Sequence, residues 1–557
     1  MCGIFSLLNV VDNQGNIVND AEEAFYYGRR RGPESSIYKT DFVNNFNAIF
    51  GFHRLAINGI DTISNQPIIF NDILLICNGE IYNYKQLYHE IAIHPESIIS
   101  NSDCEVIIHM YLRYGIEYTL HQLDAECAFV LFDFRDKDNT NLFIARDPYG
   151  VRPLFIGNSY KYIGFASEMK QLHAMKDMVY IKQFTPGTYM QYKYDYNLKS
   201  WFSKPRMYVY TTYSFHKQTE LKMEYYLDGI RKNFIKAIQK RVENSERPIA
   251  CLLSGGLDSS LVTSIVSKLS QSRIETYSIG LKDSEDLKYA KKVADFLGTK
   301  HTEIVVSEEE FFERIPEVIK VIESYDTTTV RASVGNYLVA EYISKNSDAK
   351  VVMNGDGSDE LMGGYLYFNA APDNMEFDKE CIKLLNNIHY FDGLRSDRCI
   401  SANGLESRTP FLDRGWVEYY LSIPIHIRNH NNIYRNIDNI EKFLIRKAFD
   451  IKNNPSIIKQ PYLSEYKEFL PNEILYRRKE AFSDGVSGKN RSWYQIIQEK
   501  VGFLEIESHE NITKEQSYYL NIFEKFYKGR TNIIPYYWMP NFVEASDASA
   551  RTLSMYK

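Results

Sequence analysis

No stretch of the 557-residue sequence approaches the roughly 18 consecutive apolar residues that a membrane-spanning helix needs. The opening run MCGIFSLLNV has neither a positively charged flank nor a small-residue cleavage site, so it reads as a β-strand and not as a secretory signal. A surplus of positive charge is missing too. With 65 Lys and Arg against 72 Asp and Glu the net charge is −7, which lacks the basic field a phosphate backbone requires. Nucleic acid and membranes are therefore set aside as partners. The seven cysteines are odd in number and show no C-x-x-C pairs, which argues against a zinc or disulfide framework and for reduced thiols in the cytoplasm. Internal repeats and low-complexity tracts are absent.

The chain is too long for one hydrophobic core, so an α/β protein of two domains is expected. Residues 1–200 carry short β-type runs such as NAIFGFHRLAI, ILLICNGEIYN and CAFVLFDF. Residues 201–222 are polar and tyrosine-rich and read as a linker. From Met223 to residue 557 amphipathic segments alternate with buried-strand runs (PIACLLSGG, RIETYSIG, AKVVMNGDG), the pattern of a parallel sheet flanked by helices. Beyond residue 380 the pattern is mostly helical.

IACLLSGGLDSSLVTSIV is a strand, a Ser-Gly-Gly turn and a helix that opens with Asp258, Ser259 and Ser260. Glycines let a backbone approach an anion, and helix N-terminal amides favour negative charge. An ordinary βα turn with serine caps explains a bare S-G-G equally well. The full SGGLDSS lacks the lysine of the G-x-x-x-x-G-K-[ST] phosphate loop and resembles instead the pyrophosphate loop of N-type ATP pyrophosphatases. In VVMNGDGSDELMGGY, Asp356, Asp359 and Glu360 crowd one turn, which costs repulsion unless a cation or proton lies among them. Asp258 with Asp359 could hold Mg²⁺ on the phosphates of ATP, and Lys479 and Arg331 could supply positive charge to the transferring group. Taken singly, either cation reads as a solvated surface residue.

MCGIF, RRRGPESS, HRLAI, CNGEIYNY, SDCEVI and ARDPYGVRPLF together resemble the class II glutamine amidotransferase domain, an N-terminal-nucleophile (Ntn) hydrolase. LLSGGLDSS, NGDGSDELMGGYLYF, NGLESRTPFLD and KEAFSDGVS look like the synthetase domain of the glutamine-hydrolysing asparagine synthetase family, and the match runs in order from Cys2 to the tail EASDASARTLSMY. The resemblance implies an αββα sandwich followed by a parallel α/β ATP-pyrophosphatase domain with a mostly helical C-terminal part. It implies that Met1 is removed and that Cys2 attacks the glutamine side-chain amide, with its own α-amine as base, a group that titrates near neutrality. By the same resemblance Arg54 clamps the glutamine α-carboxylate, Asp103 takes the α-ammonium, Asn78 and the Gly79 N–H form the oxyanion hole, and Leu55, Ala56, Ile57, Asn58 and Glu80 complete the pocket. At the second site Leu253, Ser254, Gly255, Gly256, Asp258 and Ser259 cradle ATP, Ile279 lies beside the adenine, and Asn354 and Gly355 close the pocket. There ATP adenylates the β-carboxylate of aspartate, and ammonia carried from the first site displaces AMP. Relatives of this kind commonly form homodimers.

Two positions depart from the family pattern. Asp356 stands where glutamate is usual, which shortens a base that acts on ammonia by one C–C bond, about 1.5 Å. Glu126 falls where the family carries apolar residues and reads as solvent-facing on a strand edge. Rival readings are an amidotransferase for another carboxylic acid, a β-lactam-closing relative and a catalytically silent nitrogen sensor. Cys2 with Arg54 and Asp103 tells against the β-lactam relative, and the intact loop aspartates tell against the sensor.

Overall fold

Period-two alternation in the first 210 residues builds two antiparallel sheets in the computed structural model, which describes residues 1–11, 16–40, 46–203, 206–213, 217, 220–431, 440–451, 468–488 and 491–553. Parts of the expected linker and the last residues of the tail motif lie outside the described residues. In chain order the strands are β1 (Gly3–Leu8), β2 (Ser35–Lys39), β3 (Ala48–Arg54), β4 (Ile68–Phe70), β5 (Ile73–Ile81), β6 (Ala125–Asp133), β7 (Asn141–Arg146), β8 (Phe155–Asn158), β9 (Ile163–Ala166), β10 (Tyr180–Gln183), β11 (Thr188–Asp195), β12 (Ser200–Ser203) and β13 (Tyr208–Val209). One sheet runs β10-β8-β9-β1-β3-β2; the other runs β12-β11-β7-β6-β5-β4, with β13 against β11.

Ile4, Leu8, Phe50 and Phe52 of the first sheet meet Ile76, Val130, Phe132 and Ile144 of the second in one buried layer. Residues one step along face outward. Phe5 and Leu7 pack beneath α1 (Asn16–Tyr26) through Ala21, Ala24 and Phe25. Leu75, Cys77 and Phe129 pack beneath α2 (Val106–Gln122). The layers are therefore helix, sheet, sheet, helix, the αββα sandwich. The sheet does not stop at residue 200, because Trp201 is buried in the layer between the sheets, its indole N–H bonded to the Phe46 carbonyl at 2.6 Å. Tyr210 still ties back to the Arg146 carbonyl at 2.8 Å.

After α3 (Met223–Glu243) come β14 (Ile249–Leu252), α4 (Leu257–Leu269), β15 (Glu275–Leu281), α5 (Glu285–Leu297), β16 (Lys300–Val306), α6 (Thr327–Asn346), β17 (Val351–Met353) and β18 (Glu406–Arg408). Local signals set the helix ends. Ser284 caps α5 through the Leu287 N–H, and Gly298 ends that helix at φ +69°, where a side chain would be strained. The strands make one parallel sheet in the order β16-β15-β14-β17-β18. The chain builds outward from β14 in one direction and then crosses over to β17, so a crevice opens between the loops that follow β14 and β17.

The two halves meet along buried ion pairs. Glu126 is part of this seam and not solvent-facing, because β6 lies inside its sheet and the Glu126 end of the strand abuts α3. Its carboxylate is only 2% exposed, accepts from Arg241 of α3 at 2.6 Å and lies 3.3 Å from Arg152. Arg241 also binds Asp413 at 2.6 Å. Arg408 on β18 reaches Glu80 on β5 at 3.1 Å and Glu406 at 2.8 Å. Replacing Arg241 by Met leaves two buried carboxylates short of a partner. Since each keeps a second cation, destabilisation at the lower end of about 3–5 kcal/mol is expected. A clear fall in melting temperature checks it, and an unchanged melting curve would contradict the seam.

Candidate active sites

β1 pairs antiparallel with β3 so that Gly3 faces His53, which sets Cys2 beside the end of β3. The Cys2 thiol points to the Leu55 carbonyl at 3.6 Å, and burial pushes its pKa up. Arg31 Nε donates to the Cys2 carbonyl at 2.8 Å. Met1 is 1% exposed, and its α-amine lies 3.7 Å from Glu406 of the other half. Cys2, Arg54, Leu55, Ala56, Ile57, Asn58, Gly79, Glu80 and Asp103 border one pocket.

Each polar group there is oriented by neighbours. Arg54 donates to the carbonyls of Gly59 and Asp61 and to Asn65 Oδ1. Asp103 Oδ2 accepts from the Ile81 N–H at 2.6 Å, and burial lifts its pKa to about 6. Glu80 accepts from Asn58 at 2.6 Å and from Asn244 at 2.9 Å, and burial raises its pKa with help from Glu406 and Asp103. Gly79 has no alternative, since a Cβ would stand 2.5 Å from Cys127. Asn78 does not itself border the pocket. It shares the inward face of β5 with Ile76, is fully buried, and neither end of its amide has a partner among the described residues. A buried unpaired amide costs about 1–3 kcal/mol.

The crevice after β14 and β17 is a larger cleft. Leu253, Ser254, Gly256, Asp258, Ser259, Ile279, Asn354, Gly355, Asp356, Asp359 and Lys479 all border it. Gly255 stands behind the loop at φ +71°, where a Cβ would press within 2.4 Å of the Ala290 nitrogen. Ser259 Oγ receives the Ser254 N–H at 3.1 Å, which closes the turn at the start of α4. Asn354 donates to Ser396 and Ser407 at 2.7 and 2.9 Å, fixing the second loop to β18.

Asp258 and Asp359 converge on one point: Lys442 Nζ lies 2.6 Å from the first and 2.5 Å from the second. Lys479 adds a contact of 2.5 Å to Asp359. Burial alone would raise the Asp359 pKa, but Lys442 and Lys479 outweigh it and hold the group at about 2. Asp356 is anchored through one oxygen to Arg395 at 2.8 Å while its other oxygen has no partner among the described residues, and burial raises its pKa. Arg395 also holds Asp392 at 3.0 Å, and Tyr365 bonds Glu360 and Asp392.

Lys442, Arg395, Asn244 and Tyr365 were not reached by sequence reasoning. Lys442 precedes an ordinary amphipathic helix, and nothing in its surroundings distinguishes it from a surface cation. Arg331 is a correction. It is 3% exposed and spends its guanidinium on Glu515 at 2.6 and 2.9 Å and on Asp547 at 2.7 and 2.8 Å, away from the cleft. The cleft-facing residues of α6 are Thr328, Thr329, Ala332, Asn336 and Val339, and Arg331 is not among them.

Two family profiles match the chain. One, described as a glutamine amidotransferase domain, covers residues 1–226, and the other, asparagine synthase, covers residues 229–377 and 369–532. The glutamine-hydrolysing asparagine synthetase of Gallus gallus is 40% identical over 95% of this chain and 94% of its own length. Those of Rattus norvegicus and Homo sapiens are 38% and 37% identical, each over 100% of this chain and 99% of its own.

We propose that Asp103 takes the ammonium of an amino-acid ligand, a pairing that requires the carboxyl to be ionised. Because the folded-state pKa is raised to about 6, L-glutamine should bind Cys2→Ala protein with constant affinity above that pH. Below it, affinity should weaken about tenfold per pH unit. Calorimetric titration between pH 5 and 8 measures this, and pH-independent binding would contradict it.

Proposed function

The chain belongs to the asparagine synthase family, with a glutamine amidotransferase half ahead of the synthase half, and we propose that it converts L-aspartate, L-glutamine, ATP and water to L-asparagine, L-glutamate, AMP and diphosphate. The carrying observation is the pairing, in one chain, of a pocket at Cys2 bordered by Arg54 and Asp103 with a separate cleft in which Asp258 and Asp359 converge on Lys442 and Lys479.

Removal of Met1 converts the Cys2 nitrogen from an amide into an amine that takes the thiol proton. The sulfur then attacks the glutamine side-chain carbonyl. Asn78 and the Gly79 N–H stabilise the tetrahedral oxyanion, ammonia leaves, and water releases glutamate from the thioester. Arg54 and Asp103 hold the α-carboxylate and α-ammonium, with Leu55, Ala56, Ile57, Asn58 and Glu80 as the wall.

In the cleft the amides of Leu253–Ser259 and the N-terminus of α4 cradle the phosphates, Ile279 packs on the adenine, and Asn354 and Gly355 close the nucleotide site. The aspartate β-carboxylate attacks the α-phosphorus and diphosphate leaves, its charge met by Lys479. Asp258 and Asp359 suit Mg²⁺, because their oxygens already converge on one cationic nitrogen; a bound Mg²⁺ supplies charge neutralisation at the β- and γ-phosphates. Asp356, held by Arg395 through one oxygen, keeps the other for a proton of the attacking ammonia. Its shorter reach relative to glutamate slows this step more than adenylation.

The amidotransferase unit extends through Val209 and the synthase unit begins at Met223. Ammonia crosses the seam between them. We further infer a cytoplasmic homodimer, in keeping with seven free thiols and with no described helix long and apolar enough to cross a membrane.

Incubation with ATP, Mg²⁺, aspartate and amide-labelled glutamine should yield labelled asparagine with AMP and diphosphate in equal amounts. Cys2→Ala protein should lose this reaction and keep the one driven by added ammonium. Failure of both reactions in that variant would contradict two separable sites.

A further inference from the structure

We propose that the C-terminal segment from Trp538 to Leu553 is a strap that positions Lys479 in the synthase cleft, with Arg551 and Asp547 as its fastening residues. The inference rests on the synthase reading above. Lys479 lies in an irregular stretch between two single-turn helices, Asn472–Leu475 and Phe482–Gly485. Such a stretch has no hydrogen-bond ladder of its own, so neighbours must fix its lysine. One anchor is Glu441, which accepts the Lys479 N–H at 2.8 Å.

The other anchors come from the tail. Arg551 pairs with Glu480, the residue next to Lys479, and donates to the carbonyls of Asp484 and Gly488, both at 2.9 Å. Ser549 Oγ donates to Asp484 Oδ1 at 2.8 Å. Asp547 is held by Arg331 through two bonds and in turn accepts the Ser549 N–H at 2.7 Å, which tightens the turn that presents Ser549 and Arg551. The series runs from Arg331 on α6 through Asp547 to Ser549 and Arg551, and from these to the loop carrying Lys479.

The same segment reaches the opposite wall. The Trp538 N–H donates to Asp326 Oδ1 at 2.8 Å, and its ring, 5.3 Å from that of Tyr365, borders the cleft. Trp538 and Leu553 share a core with Tyr367, Phe368 and Phe377, which follow the Asp359 turn. The strap therefore spans the lysine and the carboxylate that it meets at 2.5 Å. Arg331 acts through this contact as a positioning residue and not on the substrate.

The test uses full-length protein carrying Arg551→Ala, Arg551→Lys or Asp547→Asn. Aspartate-dependent diphosphate release should fall about tenfold or more in Arg551→Ala and Asp547→Asn, as misplacement of one charged group predicts. KM for ATP should rise in both variants, while glutamine hydrolysis stays within about twofold of the unsubstituted protein. Arg551→Lys, which keeps a charge for Glu480, should recover part of the loss. Wild-type diphosphate release in both damaging variants would overturn the proposal. So would a parallel fall of both activities with melting temperature, the mark of a merely structural tail. Diphosphate release by the unsubstituted protein in the same assay reports on the synthase reading separately.

Discussion

The nucleophile proposed here, Cys2, takes its base from the end of its own chain, which constrains where that end is placed. Here it lies under the seam between the two halves: the Met1 amine is 3.7 Å from Glu406, and Glu406 belongs to an edge strand of the synthase sheet. Burial lowers the pKa of that amine while Glu406 raises it. Burial likewise opposes the charge of Glu406, but Arg408, Arg152 and the amine hold its pKa at about 2. The charge at the start of the chain is thus tuned in part by a residue of the other half, Glu406. Loss of Met1 moves the amine one residue inward, onto the residue that bears the thiol.

The edge strand that carries Glu406 also shapes the far cleft. Ser407 receives the Asn354 amide, and the Arg408 carbonyl receives the Asn354 N–H at 3.2 Å, so the second phosphate loop hangs from the strand whose side chains grip Glu80. Within the cleft, Asp258 and Asp359 share Lys442, and Asp359 also meets Lys479. A polyanionic substrate therefore enters a site whose lysines are already pulled toward carboxylates and must be shared with phosphate. This competition is why the placement of Lys479 matters more than its mere presence.

Much of this was legible in the sequence because backbone-driven features leave local marks. SGGLDSS needs Gly255 at positive φ, and NGE needs a glycine against Cys127; both are readable as motifs. Alternating helix and strand segments pointed to the parallel sheet, and the family resemblance to the sandwich. What escaped depends on contacts remote along the chain. Glu126 looks like a strand-edge charge until Arg241, 115 positions away, is brought against it. Lys442 and Arg395 carry no local signature, and Arg331 sits beside cleft-lining residues in sequence yet faces the tail. The sheet's continuation through Trp201 was hidden because the surrounding polar tyrosines resemble a linker.

The most direct measurement is the intact mass of the purified protein, taken on the same sample whose glutamine-dependent asparagine formation is assayed. An N-terminus at Cys2, lighter than the full sequence by one methionine, with activity proportional to that species, is the predicted result. Full glutamine-driven activity in protein that still bears Met1 would contradict the account.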